Sequence, residues 1–468
     1  MPLTEEQQTV LDGIMEWVRS GSKPIAILTG SAGTGKTTLL KSLIKELCDS
    51  RIDFRLTAPT GRASRILEKK TETIAKTIHS EIYDLLDVVP RSSQYDASGF
   101  SIQFPLKSIT PDSTIFIVDE ASMVDDGSSQ DDGPLYGTGS LIRDLLTYSQ
   151  VATPGEGNSK ILFVGDSFQL PPVGWDLSPA LDKNYLLSII GIESESFRLE
   201  KIQRQAEDSP VLKNAVEIRR RISENDFTNF RIEDDGEKIT RITGIEAIRS
   251  ELQNFSPEQS IIITSSNRAA LSYNWTMREN RYGAHDMPIQ IGDILLVCKN
   301  SNRHNLFNGD LVEVVAAETD RECIAESILG NSEEIKLYYR NIMVKSLGDE
   351  RENAGVRCKV LENLLNSSGT GLSVNERQAI KTNFRRRNPS LEIGSSNFKF
   401  GLLNDEYYNA VEVRFGYAIT CHKAQGGEWN KVTVEIDDHN LNYDRFNWAY
   451  TAITRSKNIL QLVEPVEG

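Results

Sequence analysis

Apolar residues recur along this chain in two rhythms. Pro24-Ile25-Ala26-Ile27-Leu28-Thr29 is a short β-branched run, and Thr38 to Leu47 then repeats apolar residues at helical spacing. Phe54-Arg55-Leu56-Thr57-Ala58 reads as a second strand, with Pro59-Thr60-Gly61-Arg62-Ala63-Ser64 opening another helix. Ile115-Phe116-Ile117-Val118 and Lys160-Ile161-Leu162-Phe163-Val164 supply a third and a fourth strand. Strands alternating with helices predict a parallel sheet covered on both faces. Ser260 to Thr264 and Lys431 to Ile436 repeat that character and predict a second such sheet.

Three stretches interrupt the rhythm. From about 286 to 412 the texture changes, and Gly292 to Val297 and Asp310 to Val315 read as antiparallel strands of a small barrel. Residues 358–387 read as helical and end in Arg385-Arg386-Arg387. Within 84–112, the turn residues Asp96 to Gly99 lie between alternating apolar positions, which predicts a hairpin. Residues 124–159, rich in Gly, Ser and Asp around one helical stretch, predict a mobile excursion.

Composition narrows the class. A length of 468 residues implies about three compact units at roughly 150 residues each. With 39% hydrophobic and 25% charged residues, the chain has an ordinary globular balance. It contains no apolar run long enough for a membrane span, and its start lacks the basic and apolar segments of a signal peptide. The five cysteines form no CxxC pair, which points to a reduced, cytoplasmic compartment without a structural zinc site. A net charge of −15 argues against non-specific coating of nucleic acid but leaves room for a local basic groove.

The chemistry is concentrated after the first and third strands. Gly30-Ser31-Ala32-Gly33-Thr34-Gly35-Lys36-Thr37 is a complete GxxxxGKT phosphate loop, followed by Thr38. Such a loop wraps phosphates with backbone N–H groups, Lys36 reaches the β/γ-phosphates, and the Thr37 hydroxyl suits magnesium. Asp119-Glu120 ends the third strand. Asp119 is placed to hold the magnesium through water and Glu120 to polarise an attacking water. The implied ligands are ATP and magnesium. An Asp-Glu pair can also simply cap the next helix.

From here the chain resembles the superfamily 1B DNA helicases of the RecD/Dda type, with a layout nearer the stand-alone members than the nuclease-complex subunit. Leu3-Thr4-Glu5-Glu6-Gln7-Gln8 resembles the Q motif, which gives Gln7 the adenine edge. Ala58 to Ala63 resembles motif Ia, Thr77-Ile78-His79-Ser80 the TIHS element, and Gly165 to Val173 motif III with Gln169 as γ-phosphate sensor. Leu199 to Gln205 resembles motif IV, Thr420 to Glu428 motif V, and Tyr450 to Lys457 motif VI. The motifs stand in the family's order. The resemblance implies Arg204 and Arg455 as arginine fingers, with Gly427 and Glu428 also at the nucleotide. It implies a DNA path over Pro59, Thr60, Arg62, His79, Ser80, Thr420, His422 and Lys423. Asn267 is either a further DNA contact or a helix cap.

The same resemblance sets the expected fold and activity. The fold class is α/β, with two RecA-like P-loop parallel-sheet domains. The first comprises 1–83 and 113–200 with a pin hairpin at 84–112. The second comprises 201–285 and 413–468, with an SH3-like β-barrel plus helical insertion at 286–412. In the family the pin splits the duplex, and Phe100, with Phe104 second, is the candidate to stack on the last base pair; core packing is the other reading. Arg385-Arg386-Arg387 is either a phosphate contact or a solvated helix end. The implied activity is an ATP-dependent helicase translocating 5′ to 3′ on single-stranded DNA and opening forked duplex, as a monomer alongside replication or recombination proteins. A DNA-stimulated ATPase that displaces bound proteins is the alternative, and a nucleotide-controlled binding module without turnover is disfavoured by Glu120, Gln169, Arg204 and Arg455 together.

Overall fold

A computed structural model describes residues 2–84, 87–90, 99–108, 113–127, 134–151, 159–202, 209–228, 230–243, 255–328, 333–347, 355–436 and 443–463. The first helix, α1 (Glu5–Ser20), starts at a capping box in which Thr4 accepts from the Gln7 amide and the Gln7 side chain accepts from the Thr4 amide. Strand β1 (Ile25–Gly30) runs into α2 (Lys36–Asp49), then β2 (Phe54–Ala58), α3 (Gly61–Thr71), β3 (Ala75–Thr77) and α4 (Ile78–Ile82). A hairpin of β4 (Asp87–Pro90) and β5 (Phe100–Phe104) precedes β6 (Ile115–Val118). Then come β7 (Leu135–Tyr136), α5 (Leu141–Tyr148), β8 (Lys160–Gly165) and β9 (Ser194–Leu199).

Six of these strands form one wholly parallel sheet in the order β3-β2-β6-β8-β1-β9. Its side chains alternate between two cores, as the period of a strand requires. Ala26, Leu28, Ile115, Ile117, Leu162 and Val164 face α1, α2 and α3; Ile25, Ile27, Phe116, Val118, Ile161 and Phe163 face α4 and α5. The carboxyl ends of β6, β8 and β1 are adjacent, so the loops after them converge on one edge, where parallel sheets hold ligands. Helix α5 buries Leu141, Ile142, Leu145 and Leu146 in the second of these cores. The helical stretch of the expected mobile excursion is therefore part of the domain's packing.

The second half opens with α6 (Pro210–Glu224), β10 (Ile239–Ile242), β11 (Ser260–Thr264) and α7 (Asn267–Tyr282). The barrel strands are β12 (Ile294–Val297), β13 (Leu311–Ala317), β14 (Glu322–Glu326), β15 (Ile335–Ser346), β16 (Val356–Leu361) and β17 (Val411–Phe415), with α8 (Val374–Arg387) and α9 (Ser396–Asn404) between the last two. Then follow β18 (Ala418–Thr420), α10 (Cys421–Ala424), β19 (Trp429–Glu435), α11 (Tyr443–Ile453) and β20 (Ser456–Val463). Strands β10-β20-β19-β11-β18 make a second parallel sheet. Strands β13-β12-β17-β16-β15 close into a barrel through the β13–β15 pairing, with β14 appended. At the barrel root, Arg278 and the Tyr417 hydroxyl both donate to the buried Asp293 carboxylate. Removing one member of such a buried set strands the others without partners.

Two boundaries differ from the sequence reading. Residues 358–361 are strand, paired with β15 from Ile342↔Cys358 to Tyr339↔Leu361, and the helix begins only at Val374 behind its own Ser373–Glu376 capping box. Cys358, Val360 and Leu361 are buried, so sheet burial overrides the weak helical spacing. The barrel's last strand also runs to Phe415, past residue 412.

Candidate nucleotide site and nucleic-acid face

The loop after β1 takes its shape from two left-handed glycines, Gly33 at φ 81° and Gly35 at φ 84°, which a β-carbon would strain. Gly30 packs too tightly for one, since its β-carbon would stand 2.7 Å from Thr34 Oγ1. Thr34 is buried, Ser31 nearly so, Ala32 and Thr37 are half-buried, and Thr38 is exposed at the start of α2. The Lys36 ammonium donates to the Gly30 and Ser31 carbonyls, the latter at 3.2 Å. Gln7 is buried and its amide joins α1 to the loop: Nε2 donates to Thr34 O at 3.0 Å, and Oε1 accepts from Thr4 N at 3.1 Å. In this arrangement Gln7 caps α1 and braces the loop.

Asp119 and Glu120 follow β6 at the same edge, and Asp119 N donates to Thr57 O at 2.9 Å. Glu120 sits in the left-handed region at φ 52°, costly for a side chain that is not glycine. Burial, then the neighbouring Glu120 charge, push the Asp119 carboxyl above the usual range, with Lys36 pulling the other way. A cation at that point would relieve the desolvation, and Thr37 Oγ with a carboxylate is the hard-oxygen set that suits magnesium. The residues fit the ion.

The loop after β8 carries the third group. Gln169 is 5% exposed, and its Oε1 is buried with no hydrogen-bond partner among the described residues. Its neighbours are held from the other half of the molecule. Leu170 N donates to Thr451 Oγ1 at 2.8 Å, Gln425 Nε2 to Leu170 O at 2.8 Å, and Asn447 Nδ2 to Phe168 O at 3.1 Å. Tyr450 OH donates to Asp166 Oδ2 at 2.6 Å and accepts from Ala32 N at 3.1 Å. Residues of α10, α11 and their flanks thus tie the β8 loop and the phosphate loop to the second sheet.

The expected fingers fall differently. Arg455 is 5% exposed and donates to Thr451 O, Gly427 O and Thr454 Oγ1, all in its own domain. Gly427 is buried, and Glu428 is exposed with Lys70 at 3.6 Å and Lys457 at 4.0 Å. Arg204 lies outside the described residues. Tyr450, Thr451, Asn447, Gln425 and Arg219 were not singled out from the sequence. The spacing of Asn447, Tyr450 and Thr451 by three and four on one helix face is the signal that could have found the first three.

Several residues expected on DNA are engaged within the protein. Pro59 and Thr60 are half-buried, and Thr60 caps α3 by accepting from Ala63 N. The Arg62 guanidinium lies 4.4 Å from the Trp429 ring centroid and donates to Gly309 O at 3.4 Å; burial lowers its pKa to about 10, leaving it charged. It bridges the first domain to the second domain and its barrel. Beside it, Arg65 pairs with Asp310 at 2.9 Å and stacks on Phe307, whose ring packs so close to Gly61 that a β-carbon there would overlap it. Lys423 Nζ donates to Asn308 Oδ1 at 2.7 Å on the same barrel turn.

Burial disfavours the charged form of the two histidines expected on DNA. Burial lowers His79 to about 4, and its ring packs edge-on to Tyr136 at 4.9 Å. Burial likewise lowers His422, with Lys423 adding to the effect. Ser80 is exposed, Thr420 is half-buried at the start of α10, and Asn267 Nδ2 donates to Gly369 O at 3.1 Å.

The hairpin supplies the clearest correction. Phe100 is fully buried, edge-on to Phe398 of α9 at 5.1 Å, in a core with Val88, Ile102, Phe384 and Leu402. A ring enclosed in this way cannot stack on a base pair. Phe104 is stacked on Tyr136 at 4.6 Å. Lys399 and Asp87 add an ion pair at 2.6 Å between α9 and the hairpin. Residues 91–98, which include the expected turn, lie outside the described residues. The arginine run ends α8 at the surface, with Arg386 and Arg387 exposed but paired within the protein: Arg385 donates to Leu391 O, Arg386 pairs with Glu326 at 2.7 Å, and Arg387 pairs with Asp405.

Residues 16–175 match the AAA domain model, and residues 415–463 match the UvrD-like helicase C-terminal domain model. The chain is 24% identical over 473 residues to the ATP-dependent RecD2 DNA helicase of Deinococcus radiodurans, covering 97% of this chain and 48% of that protein. It is 25% identical over 373 residues to the ATP-dependent DNA helicase dda of Enterobacteria phage T4, covering 74% and 75%. A crystal structure of a Bacteroides Pif1 helicase in complex with ADP-AlF3 and ssDNA shares 17% identity at a TM-score of 0.47, covering 100% and 93%. The chain spans about half the length of the RecD2 relative. Among the described residues, no helix is long and apolar enough to cross a membrane.

Proposed function

We propose, from the premise that the chain is of the superfamily 1B RecD/Dda/Pif1 helicase type, that it hydrolyses ATP to move along single-stranded DNA from 5′ to 3′ and to separate forked duplex. One observation carries the reading: the phosphate loop and the β8 loop of the first sheet are hydrogen-bonded across the molecule to residues 425–451 of the second. A change at the phosphates is thereby a change in how the two sheets sit. Relative movement of two domains about a nucleotide is what a stepping motor requires.

The residues divide the work as follows. Loop amides and Lys36 hold the phosphates, and Thr37 and Asp119 are the oxygens that would hold magnesium. Magnesium, when bound, neutralises charge on the β- and γ-phosphates. Glu120 takes the proton of the attacking water, which Gln169 Oε1 orients as an acceptor. Arg455 reaches the terminal phosphate after leaving the Gly427 and Thr451 carbonyls, and Arg204 is a second cation of the same kind. Hydroxyls and neutral groups at Thr60, Ser80, His79, Thr420 and His422 suit a path that grips DNA without reading sequence.

The internal burial of Phe100 favours a second reading, a DNA-stimulated ATPase that displaces bound proteins without sustained unwinding. Strand separation on duplexes with a 5′ or a 3′ single-stranded tail decides. ATP-dependent opening of only the 5′-tailed duplex is expected. DNA-stimulated hydrolysis with neither duplex opened would establish the second reading.

A further inference from the structure

Arg219 is half-buried on α6 of the second domain, yet its side chain reaches the phosphate loop of the first. Its Nη1 donates to Ser31 Oγ at 2.6 Å, and its guanidinium lies 5.1 Å from the Phe168 ring centroid in the β8 loop. The Lys36 ammonium bonds the Gly30 and Ser31 carbonyls, so Arg219 and Lys36 meet at the same residue of the loop. That is the end at which the β/γ-phosphates sit. Arg219 Nε is buried with no hydrogen-bond partner among the described residues, a donor left unspent there. Next along the β8 loop from Phe168, Gln169 Oε1 is a buried acceptor left unspent. A phosphoryl oxygen, which only accepts, satisfies the first of these; a water satisfies the second.

Phe168 packs against the guanidinium and edge-on to Tyr450, which is bonded to Ala32 N and Asp166 and so ties the loop to the second domain. Arg455 is turned into its own domain, as its three hydrogen bonds show. Among the described residues, Arg219 is the arginine of the second domain that touches the phosphate loop.

We propose that Arg219 is a catalytic cation of the ATPase: with nucleotide in the loop its guanidinium donates to the terminal phosphoryl group and stabilises the charge that develops there during transfer to water. The inference rests on the reading of the chain as an ATP hydrolase. The γ-phosphorus–oxygen bond to ADP breaks, the new bond forms to the water oxygen, the water proton passes to Glu120, and Arg219 gains and loses none. Such a cation acts on the transition state more than on ground-state binding. It also explains why α6 approaches the first domain at all. The hydrogen bond to Ser31 holds the guanidinium in place, and domain movement that breaks it switches the charge off.

The test is hydrolysis by the full chain with saturating single-stranded DNA, for wild type, Arg219→Ala and Arg219→Lys, beside binding of ADP and of ADP–aluminium fluoride. Arg219→Ala should lower kcat by about 100-fold or more with KM for ATP nearly unchanged, by the scale of other such cations. Arg219→Lys should recover only part, because an ammonium lacks the fork that serves Ser31 and phosphate together. Affinity for ADP–aluminium fluoride should fall at least about tenfold further than affinity for ADP. A kcat near wild type, or equal losses for the two ligands, overturns the proposal in favour of a loop-bracing role. If the alanine variant melts early, the lysine variant decides by the same ligand comparison. A wild-type chain without hydrolysis would instead sink the functional reading itself.

Discussion

Truncating Phe100 to alanine tests whether the hairpin is clamped by the barrel's helical extension. The ring is fully buried between β5 and α9, with Phe398 edge-on at 5.1 Å, Lys381 Nζ 5.8 Å from its centroid, and Val88, Ile102, Phe384 and Leu402 around it. Loss of a buried Phe side chain costs about 3–5 kcal/mol once the cavity is counted. Besides this core, the hairpin is held by its own pairing over Asp87–Pro90 and Phe100–Gln103, by the short β5–β7 pairing and by the Lys399–Asp87 ion pair, so the Phe100 core is one of a few contacts that resist local opening. A loss of about 3 kcal/mol converts to roughly 10²-fold faster opening. Hydrogen exchange followed by mass spectrometry should show that acceleration in peptides covering β4 and β5, with α2 and β1 unchanged. A double-mutant cycle with Phe398→Ala should return about 0.5–1.5 kcal/mol of coupling for the edge-on pair. Exchange within about threefold of wild type would refute the packing argument, whose premise is a cost of at least 3 kcal/mol.

Other outcomes follow from single residues. Lys36→Ala should weaken nucleotide binding and turnover together, whereas Glu120→Gln should bind nucleotide normally and hydrolyse it slowly, because an amide cannot take the proton; titration and turnover on both separate the roles. Asp119→Asn should raise the melting temperature of the nucleotide-free protein at pH 8. The native carboxyl titrates above its unfolded value, so ionising it costs stability as pH rises, and the gain from asparagine should shrink towards pH 4. His79, held neutral down to about pH 4, leaves the unfolded chain binding the proton first, so stability falls between about pH 6.5 and 4; His79→Gln should flatten that part of the denaturation profile. An unchanged pH dependence in either variant would contradict the burial argument for that group.

Much of the first domain was legible because its information is local. The alternation of Ile25 and Ile27 against Ala26 and Leu28 states both faces of β1, and the residues at the carboxyl ends of β1, β6 and β8 announce the nucleotide edge. Which of the two readings of Phe100 holds was not legible, because its partner, Phe398, is far away in sequence, and an apolar residue beside a turn looks the same whether it meets DNA or another helix. Gln7 was legible in a second way. Thr4-Glu5-Glu6-Gln7 is a capping box readable over four residues. Residues 358–361 read as helix because the pattern of α8 was extended backwards over a buried strand. Arg62, Lys423 and Arg219 carry charges whose partners sit on other domains, and no periodicity reports how domains meet.

The central claim is that nucleotide hydrolysis and DNA are coupled through the contact between the two sheets. Steady-state ATP hydrolysis by the wild-type chain, measured as single-stranded DNA is titrated in, tests it most directly. The account predicts a rate that rises at least about tenfold and saturates, as lid and domain closure complete a catalytic site. A rate that is already maximal without DNA, or that does not respond to it, would contradict the account.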